Sequence, residues 1–193
     1  MSDRHNAPPD RSAAAGAALL ERTFALLERA AADRRSKFRE FTLATIEDDR
    51  PAARTVILRA VDRQARAVTF WTDRRSRKVA ALDRVVEALF WDPKTSLQLR
   101  LAGTATTEGT ANPDVAALFD GLPDRALHDY AAIAAPGAEW RDDAPFDRAR
   151  ARANFALVRI EARSADLLEL SSKGHRRFAF DLARSERALA ITP

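Results

Sequence analysis

The sequence predicts one α+β domain, mainly β, with a barrel-like antiparallel core and helices packed outside it. Its 193 residues are enough for one compact domain with a sizeable core, and few for two. The middle of the chain contains short β-branched and aromatic segments joined by tight turns, which favours antiparallel pairing. Segments with helical spacing precede and interrupt these strands.

The chain begins with a predicted tail and a helix. Residues 1–12 are polar and include two adjacent prolines, which is typical of a flexible tail. Residues 13–35 are predicted to form an amphipathic helix, because Leu20, Phe24 and Leu27 recur at helical spacing. Such a helix buries its apolar face by covering one face of a sheet.

Strands and further helices follow in a regular order. Five consecutive strands are predicted, at residues 41–46, 53–61, 67–72, 85–91 and 95–106. Short strands joined by turns in this way are typical of a meander or a barrel. Helices are predicted at residues 76–83, 112–121 and 123–135, then a polar loop at 136–147 around Trp140, then strands at 155–161, 166–170 and 177–182. No repeat or linker divides the chain, so we expect one domain over residues 1–193.

Composition excludes several classes of protein. The sequence has no cysteine, which rules out disulfides, cysteine-ligated metals and thiol nucleophiles, and favours a reducing cytoplasm. No apolar run reaches the roughly 18 residues that cross a bilayer, so no membrane partner is expected. The two glycine-rich phosphate-binding motifs, G-x-G-x-x-G and G-x-x-x-x-G-K-[ST], do not occur in the sequence. The three histidines are far apart and lack metal-ligand spacing, so no metal is expected.

The charge is basic but dispersed. The formal net charge is +4 and the pI about 10.1. Only four of the 32 basic residues are lysine, and the arginines are spread among 28 acidic residues rather than massed in one tract. We therefore expect no nucleic-acid partner, and an arginine-rich nucleic-acid binder remains an alternative that predicts steep salt dependence and no bound pigment.

The most informative motif follows the third predicted strand and opens a helix. Ser76, Arg77 and Lys78 place a hydroxyl and two cations where backbone N–H groups are free, a combination that suits a phosphate monoester. The alternative is a solvated basic loop before an ordinary helix.

Two strands carry further polar candidates. Arg54 and Arg59 bracket an apolar run, and positions five apart point to opposite faces unless the strand is bulged. Either both reach water, or one or both face a bound anion or flat ring. Gln98 and Arg100 share one face of the fifth strand, where an amide can bond the edge of a heteroaromatic ring or simply face solvent.

Together these segments form a more specific pattern than any one of them. Their order is R-x-V-x-L-R, F-W-T-D, S-R-K and Q-x-R-x-x-G. This pattern resembles the FMN-binding core of the pyridoxamine 5′-phosphate oxidase family over about residues 41–105, and more weakly from residue 155 to the C-terminus. The resemblance implies a six-stranded split β-barrel that forms a homodimer, with FMN at the dimer interface.

The resemblance also implies roles for individual positions. The strand that runs along the flavin is matched by Arg54, Thr55, Val56, Ile57 and Leu58. Arg59 stands where the oxidase has a lysine near the substrate phosphate, and Trp71 with Thr72 matches an aromatic–threonine pair beside the cofactor. The FMN phosphate clamp is matched by Ser76, Arg77 and Lys78. Gln98 matches a flavin-contacting glutamine, and Arg177 matches a flavin-binding arginine across a one-residue gap.

The substrate half of the family pattern is not matched. The oxidase has an Arg-Leu-His triplet near its C-terminus, where this chain reads His175-Arg176-Arg177. Leu168 stands where the oxidase has a flavin-contacting tryptophan, and residues 110–140 offer no match for its phosphate-gripping Tyr, Arg and Ser. We therefore expect the cofactor half to be kept and the substrate to differ, with vitamin B6 oxidation a subsidiary possibility.

The function expected is that of an FMN-dependent oxidoreductase on a dimeric barrel, with its catalytic residues and substrate unknown. In such an enzyme the flavin carries the redox chemistry and the protein binds, orients and tunes it. One alternative is a flavin-binding or sensing protein without turnover. Another is a different planar cofactor such as haem or a deazaflavin, for which His128 and His175 would be the axial-ligand candidates.

Overall fold

The computed structural model describes residues 9–139 and 145–193, so most of the predicted tail and Trp140 lie outside the described residues. The helices are α1 (Ala13–Ala32), α2 (Arg77–Ala80), α3 (Pro113–Asp120) and α4 (Arg148–Asn154). The strands are β1 (Glu40–Glu47), β2 (Arg50–Asp62), β3 (Ala67–Asp73), β4 (Val86–Asp92), β5 (Leu97–Gly109), β6 (Phe155–Glu169), β7 (Arg176–Asp181) and β8 (Ser185–Ile191). Short 3-10 turns occupy Lys37–Arg39, Asp124–Ala126 and His128–Tyr130.

Six of the strands close into an antiparallel barrel. The hydrogen-bonded order is β3-β2-β1-β4-β5-β6, and β3 pairs with β6 to complete the circle. β7 and β8 extend the sheet beyond β6. Closure leaves these six strands without a free edge along the paired segments. The predicted fold class, a mainly β six-stranded barrel with peripheral helices, is confirmed.

Strand β6 is shared between the barrel and the extension. Residues 155–161 pair with β3, and residues 164–169 pair with β7 on the same edge, while β5 follows β6 on its other edge. The sequence prediction of two separate strands here is wrong. The polar residues between the halves resemble a break, but they continue the β5 ladder through a register shift at Ala102 and Gly103.

The barrel interior is filled by aromatic and aliphatic side chains from alternate strand positions. The ring of Phe41 stacks on that of Phe90 at 4.6 Å between centroids and meets Phe70 edge-on at 6.0 Å. Helix α1 begins at its cap, where Ser12 Oγ accepts a hydrogen bond from Ala15 N. Its buried face includes Phe24 and packs against β2 and β8, as the helical spacing predicts.

A second, smaller apolar cluster lies on the outer side of β3 and β6. It is built from α3, α4 and the 3-10 turns around Phe119 and Phe155. Residues 123–135 do not form the predicted helix. In a helix each carbonyl accepts from the backbone N–H four residues later, whereas the carbonyls of residues 130–134 accept from side chains. Helix α4 and strand β8 were not predicted from the sequence, and of the residues in β8 only Ala188 is buried.

No helix within residues 9–139 and 145–193 combines the length and apolar character needed to span a bilayer.

Gly103 is required by the close approach of β5 and β6. A Cβ at this position would overlap the carbonyl oxygen of Glu161, whereas a Cβ at Gly109 on the same strand meets nothing nearer than 3.8 Å. We predict that Gly103→Ala lowers the free energy of unfolding by about 1–3 kcal/mol, since the strands must separate. Gly109→Ala is the matched control and should change it by less than about 0.5 kcal/mol. Urea unfolding curves measure both, and equal effects would contradict this packing.

Candidate functional site

The amino group of Lys78 lies at the end of β3, held by two hydroxyl groups. Its Nζ donates to Thr72 Oγ1 at 3.0 Å and to Ser76 Oγ at 2.8 Å. Thr72 and Ser76 are buried, and Lys78 is partly buried. Among the described residues Lys78 makes no salt bridge with a carboxylate. A partly buried ammonium group held only by hydroxyls lacks the opposite charge that an anion would supply.

A second cation lies near Lys78. Burial lowers the pKa of Lys78 below its ordinary value of 10.5, and the charge of Arg54 lowers it further, against smaller opposing effects of Asp73 and Glu47. Arg54 Nη1 donates to Thr45 Oγ1 at 2.6 Å, and its Nη2 pairs with Glu47. We call Arg54, Thr72, Ser76 and Lys78 the anion cluster.

Arg77 lies beside the anion cluster and not within it. Its guanidinium is 73% exposed and pairs with the carboxylate of Asp48, in the β1–β2 turn, at 2.7 Å. An exposed pair of this kind contributes little to stability and is easily exchanged. In the described structure Arg77 therefore pairs with Asp48 and not with a residue of the anion cluster.

The middle of β2 presents two different faces. Val56 and Leu58 are buried in the barrel core, so only their backbone is available to a ligand. Thr55 and Ile57 point to the outer face, opposite Thr42 and Glu40 of β1. The alternation expected for the strand is therefore observed.

Arg59 lies at an irregularity in β2. It falls at the register shift between the pairs Leu58–Phe70 and Ala60–Thr69. Its guanidinium carbon stands 4.2 Å from the ring centroid of Trp71, a cation–π contact. Arg54, in contrast, donates to the buried Thr45. The two arginines of the motif therefore have different neighbours.

Arg59 belongs to a positive group with two arginines from the α1–β1 connection. Burial lowers its pKa, and the charges of Arg39 and Arg34 lower it further, while Tyr130 opposes them. Within the described parts of the chain none of the three makes a salt bridge, and Arg39 Nε is buried without a hydrogen-bond partner. We call Arg34, Arg39 and Arg59 the arginine group. Burial also raises the pKa of Tyr130 to about 12, which keeps its hydroxyl protonated.

Sequence reasoning did not identify Arg34, Arg39 or Tyr130 as site residues. The only available signal was the basic stretch Arg34-Arg35-Ser36-Lys37-Phe38-Arg39 before the first strand. Such a stretch is usually a solvated surface. Only the fold brings it beside β2 and the 3-10 turn that ends at Tyr130.

Gln98 and Arg177 lie elsewhere, on the outer face of the sheet. The cross-strand register aligns Trp91, Gln98, Leu168 and Arg177 in one row from β4 to β7, which we call the outer row. Trp91 is 42% exposed there. Arg177 donates to Asp166 at 2.7 Å, a hydrogen bond that raises the pKa of Arg177.

The structure thus divides the predicted site residues into two sets. The anion cluster and Arg59 come from β2, β3 and α2, whereas Gln98 and Arg177 come from β5 and β7. In the sheet order β1 and β4 lie between β2 and β5. On the other side of the closed barrel only β6 lies between β3 and β5, but Thr72 pairs with Ala156 and Gln98 pairs with Leu168, twelve residues further along β6. One copy of the chain therefore holds Gln98 away from the anion cluster.

His128 and His175, the two histidines in the described part of the chain, each contact a neighbouring residue of the protein. The ring of His128 stacks on Phe146 at 4.8 Å between centroids, and His175 Nδ1 accepts a hydrogen bond from Ser171 N at 3.1 Å. In the ranges 9–139 and 145–193 no three His, Cys, Asp or Glu side chains are grouped to hold a metal.

Residues 22–109 match the family model described as pyridoxamine 5′-phosphate oxidase, FMN-binding domain. A crystal structure of a pyridoxamine 5′-phosphate oxidase-related, FMN-binding protein from Nostoc punctiforme is 24% identical, with a TM-score of 0.72 over 89% of this chain and 95% of that one. PhzG from Burkholderia lata, in complex with tetrahydrophenazine-1-carboxylic acid, is 22% identical, with a TM-score of 0.69 over 96% of this chain and 94% of that one. No curated protein sequence matches the chain.

The structural similarities establish the fold, and the family model establishes the cofactor. The matched segment runs from α1 to the end of β5 and includes the whole anion cluster, Arg59 and Gln98. Residues 22–109 of the chain therefore match the FMN-binding domain of the pyridoxamine 5′-phosphate oxidase family, and FMN is the cofactor that this match indicates.

Proposed function

We propose that the protein is an FMN-dependent oxidoreductase that works as a homodimer on a negatively charged substrate. The observation that carries the proposal is the anion cluster, in which the partly buried Lys78 is held by two hydroxyls beside Arg54 and lacks a carboxylate partner in the described chain. Flavin binding at such a cluster requires no further metal or nucleophile.

The anion cluster fits a phosphate monoester by its chemistry. Arg54, whose guanidinium is bonded to Thr45 and Glu47, adds positive charge to the cluster, and Lys78 offers a compact charge with one N–H not yet bonded. The hydroxyls of Thr72 and Ser76 add neutral donors. A doubly negative phosphate would relieve the mutual repulsion of the two cations and restore the pKa of Lys78. We assign the phosphate of FMN to this cluster, with Arg77 closing over it from the mouth.

The flavin ring is assigned to the outer side of β2. Thr55 and Ile57 face outward there, and the backbone from Arg54 to Leu58 follows the same course. FMN, when bound, supplies hydride or electron transfer, and the protein's part is to bind, orient and tune it. Arg59 places a partly desolvated positive charge next to Trp71, where it would favour negative charge on a reduced ring or on a substrate.

A second copy of the chain is needed to complete this site. By the family resemblance Gln98 and Arg177 match flavin-contacting positions, yet within one chain two strands lie between β2 and each of them: β1 and β4 before β5, and β3 and β6 before β7. We infer that the outer row of one copy faces the flavin held by the other. The partly exposed Trp91 in that row supports a protein contact at this face.

The arginine group indicates the class of substrate. Three arginines without carboxylate partners in the described structure, together with the protonated hydroxyl of Tyr130, favour a carboxylate or phosphate group. Pyridoxamine 5′-phosphate is one compound that carries such a group. The missing Arg-Leu-His triplet favours a different anionic substrate. The cytoplasmic location stays a prediction.

The first prediction distinguishes the contribution of Lys78 to FMN affinity from that of Arg77. Lys78→Ala should raise the Kd for FMN at least tenfold, because a charge-assisted phosphate contact contributes about 1.5–3 kcal/mol. Arg77→Ala, the matched control, should raise it less, because the Arg77 side chain is 73% exposed. Quenching of FMN fluorescence on titration measures both. Equal losses in the two variants would contradict the placement of the phosphate beside Lys78.

The second prediction concerns turnover. FMN bound to the purified protein should be bleached by NADH or NADPH under nitrogen, and a panel of carboxylated or phosphorylated acceptors should restore its visible absorbance. Arg59→Ala should slow the second step for charged acceptors more than for neutral ones. Bound FMN that no nicotinamide donor or substrate reduces would instead support a flavin-binding or sensing protein without turnover.

The third prediction concerns the dimer. Trp91→Glu should shift the protein from dimer to monomer and weaken FMN binding, because it places a charge at the β4 end of the outer row, on the face assigned to the dimer contact. Ala18→Glu, on the exposed side of α1, adds the same charge away from this face and should change neither property. Sedimentation equilibrium with and without FMN measures the mass. A Trp91→Glu variant that remains dimeric with unaltered FMN affinity would overturn the interface.

A further inference from the structure

Residues 130–134 form a short strap whose backbone is held by side chains. Five successive carbonyl oxygens accept hydrogen bonds from outside the strap. Tyr130 O accepts from Asn154 Nδ2 at 2.8 Å, and Ala131 O accepts from Arg150 Nε. The next three carbonyls all accept from one guanidinium, that of Arg75.

Arg75 is therefore fixed in place by the strap. Its Nη2 donates to Ala132 O at 3.0 Å and Ala134 O at 3.3 Å, and its Nη1 donates to Ile133 O at 2.9 Å. Nη1 and one N–H of Nη2 make these contacts and form the outer half of the fork, while Nε and the other N–H of Nη2 form the inner half, which faces β3.

The inner half of the fork holds a buried carboxylate. Arg75 Nε donates to Asp73 Oδ1 at 3.0 Å, and Nη2 donates to Asp73 Oδ2 at 2.7 Å. The Asp73 side chain is 5% exposed, so its charge is poorly screened by water. The hydrogen bond with Asp73 raises the pKa of Arg75, so Arg75 stays charged.

Asp73 stands between the anion cluster and the strap. It follows Thr72 directly in β3, and its carbonyl oxygen accepts from Ser76 N at 3.0 Å. Its charge acts on Lys78, whose pKa it raises, and on Tyr130, whose pKa it also raises. A bare carboxylate at this place would repel an incoming phosphate.

We propose that Arg75 is a positioning residue for the phosphate of FMN, acting through Asp73. By holding Asp73 in a two-pronged pair, anchored on the strap, Arg75 cancels the negative charge that would otherwise border the anion cluster. The proposal rests on the assignment of the FMN phosphate to that cluster. It adds the Asp73–Arg75 pair and the strap to the residues that determine the affinity for the phosphate.

The test compares FMN with riboflavin, which has the same ring and no phosphate. Arg75→Ala should raise the Kd for FMN about tenfold and leave the Kd for riboflavin nearly unchanged, because only the phosphate meets the unpaired charge. The double variant Asp73→Asn with Arg75→Ala should recover most of the FMN affinity. Asparagine keeps an oxygen that can accept from Arg75 N, or from alanine N at that position.

A conservative variant guards against loss of fold. Arg75→Lys keeps a positive charge beside Asp73 but lacks the fork that grips the strap, so its FMN affinity should lie between those of the wild type and Arg75→Ala. Circular dichroism and thermal unfolding of each variant show whether it is folded. If Arg75→Ala weakens FMN and riboflavin alike, or if the double variant fails to recover, Arg75 has only a structural role and the proposal is wrong.

The wild-type measurements separate this inference from the proposed function. A wild-type protein that binds FMN and riboflavin equally well would show that the anion cluster does not hold the phosphate, which removes the basis of both. A wild type that prefers FMN, together with an Arg75→Ala variant that keeps the whole preference, would overturn the role of Arg75 alone.

Discussion

The pairing of β3 with the first half of β6 is the constraint on which the rest of the structure depends. It closes the barrel and fixes the end of β3, where Thr72 pairs with Ala156 and Asp73 pairs with Phe155. Arg74 N continues the contact by donating to Asn154 O at 2.8 Å. The turn that follows carries Ser76 and Lys78, so this pairing fixes the backbone from which the side chains of the proposed anion site project.

Charge pairing distinguishes the site from the remaining surface. Arg66 shows the ordinary pattern, because it is buried and pairs with both Glu21 and Glu186, which ties α1 and β8 to the barrel. Lys78 and the arginine group depart from that pattern within the described residues. A partly buried cation without a carboxylate partner is a place where a ligand is expected to supply the missing charge. In this protein the departures lie just after β3 and beside its neighbour β2, the strand that is assigned to the flavin.

Many of the strands and the Ser76-Arg77-Lys78 motif could be predicted from the sequence, because they depend on residues close together in the chain. The first five strands have alternating or β-branched patterns with turns between them, and Ser76-Arg77-Lys78 follows a strand directly. The failures are long-range. Strand β6 is continuous because β3 and β7 share its edge, and residues 130–134 are not helical because Arg75, Arg150 and Asn154 bind their carbonyls. The arginine group arises only when the α1–β1 connection folds against β2.

The central claim is that the partly buried Lys78 and Arg54 hold the phosphate of a flavin. The most direct measurement is the Kd of the wild-type protein for FMN and for riboflavin in the same low-salt buffer. Our account predicts that FMN binds at least about a hundredfold more tightly, since two charge-assisted contacts contribute roughly 3 kcal/mol or more together. Equal affinity for the two flavins would contradict it.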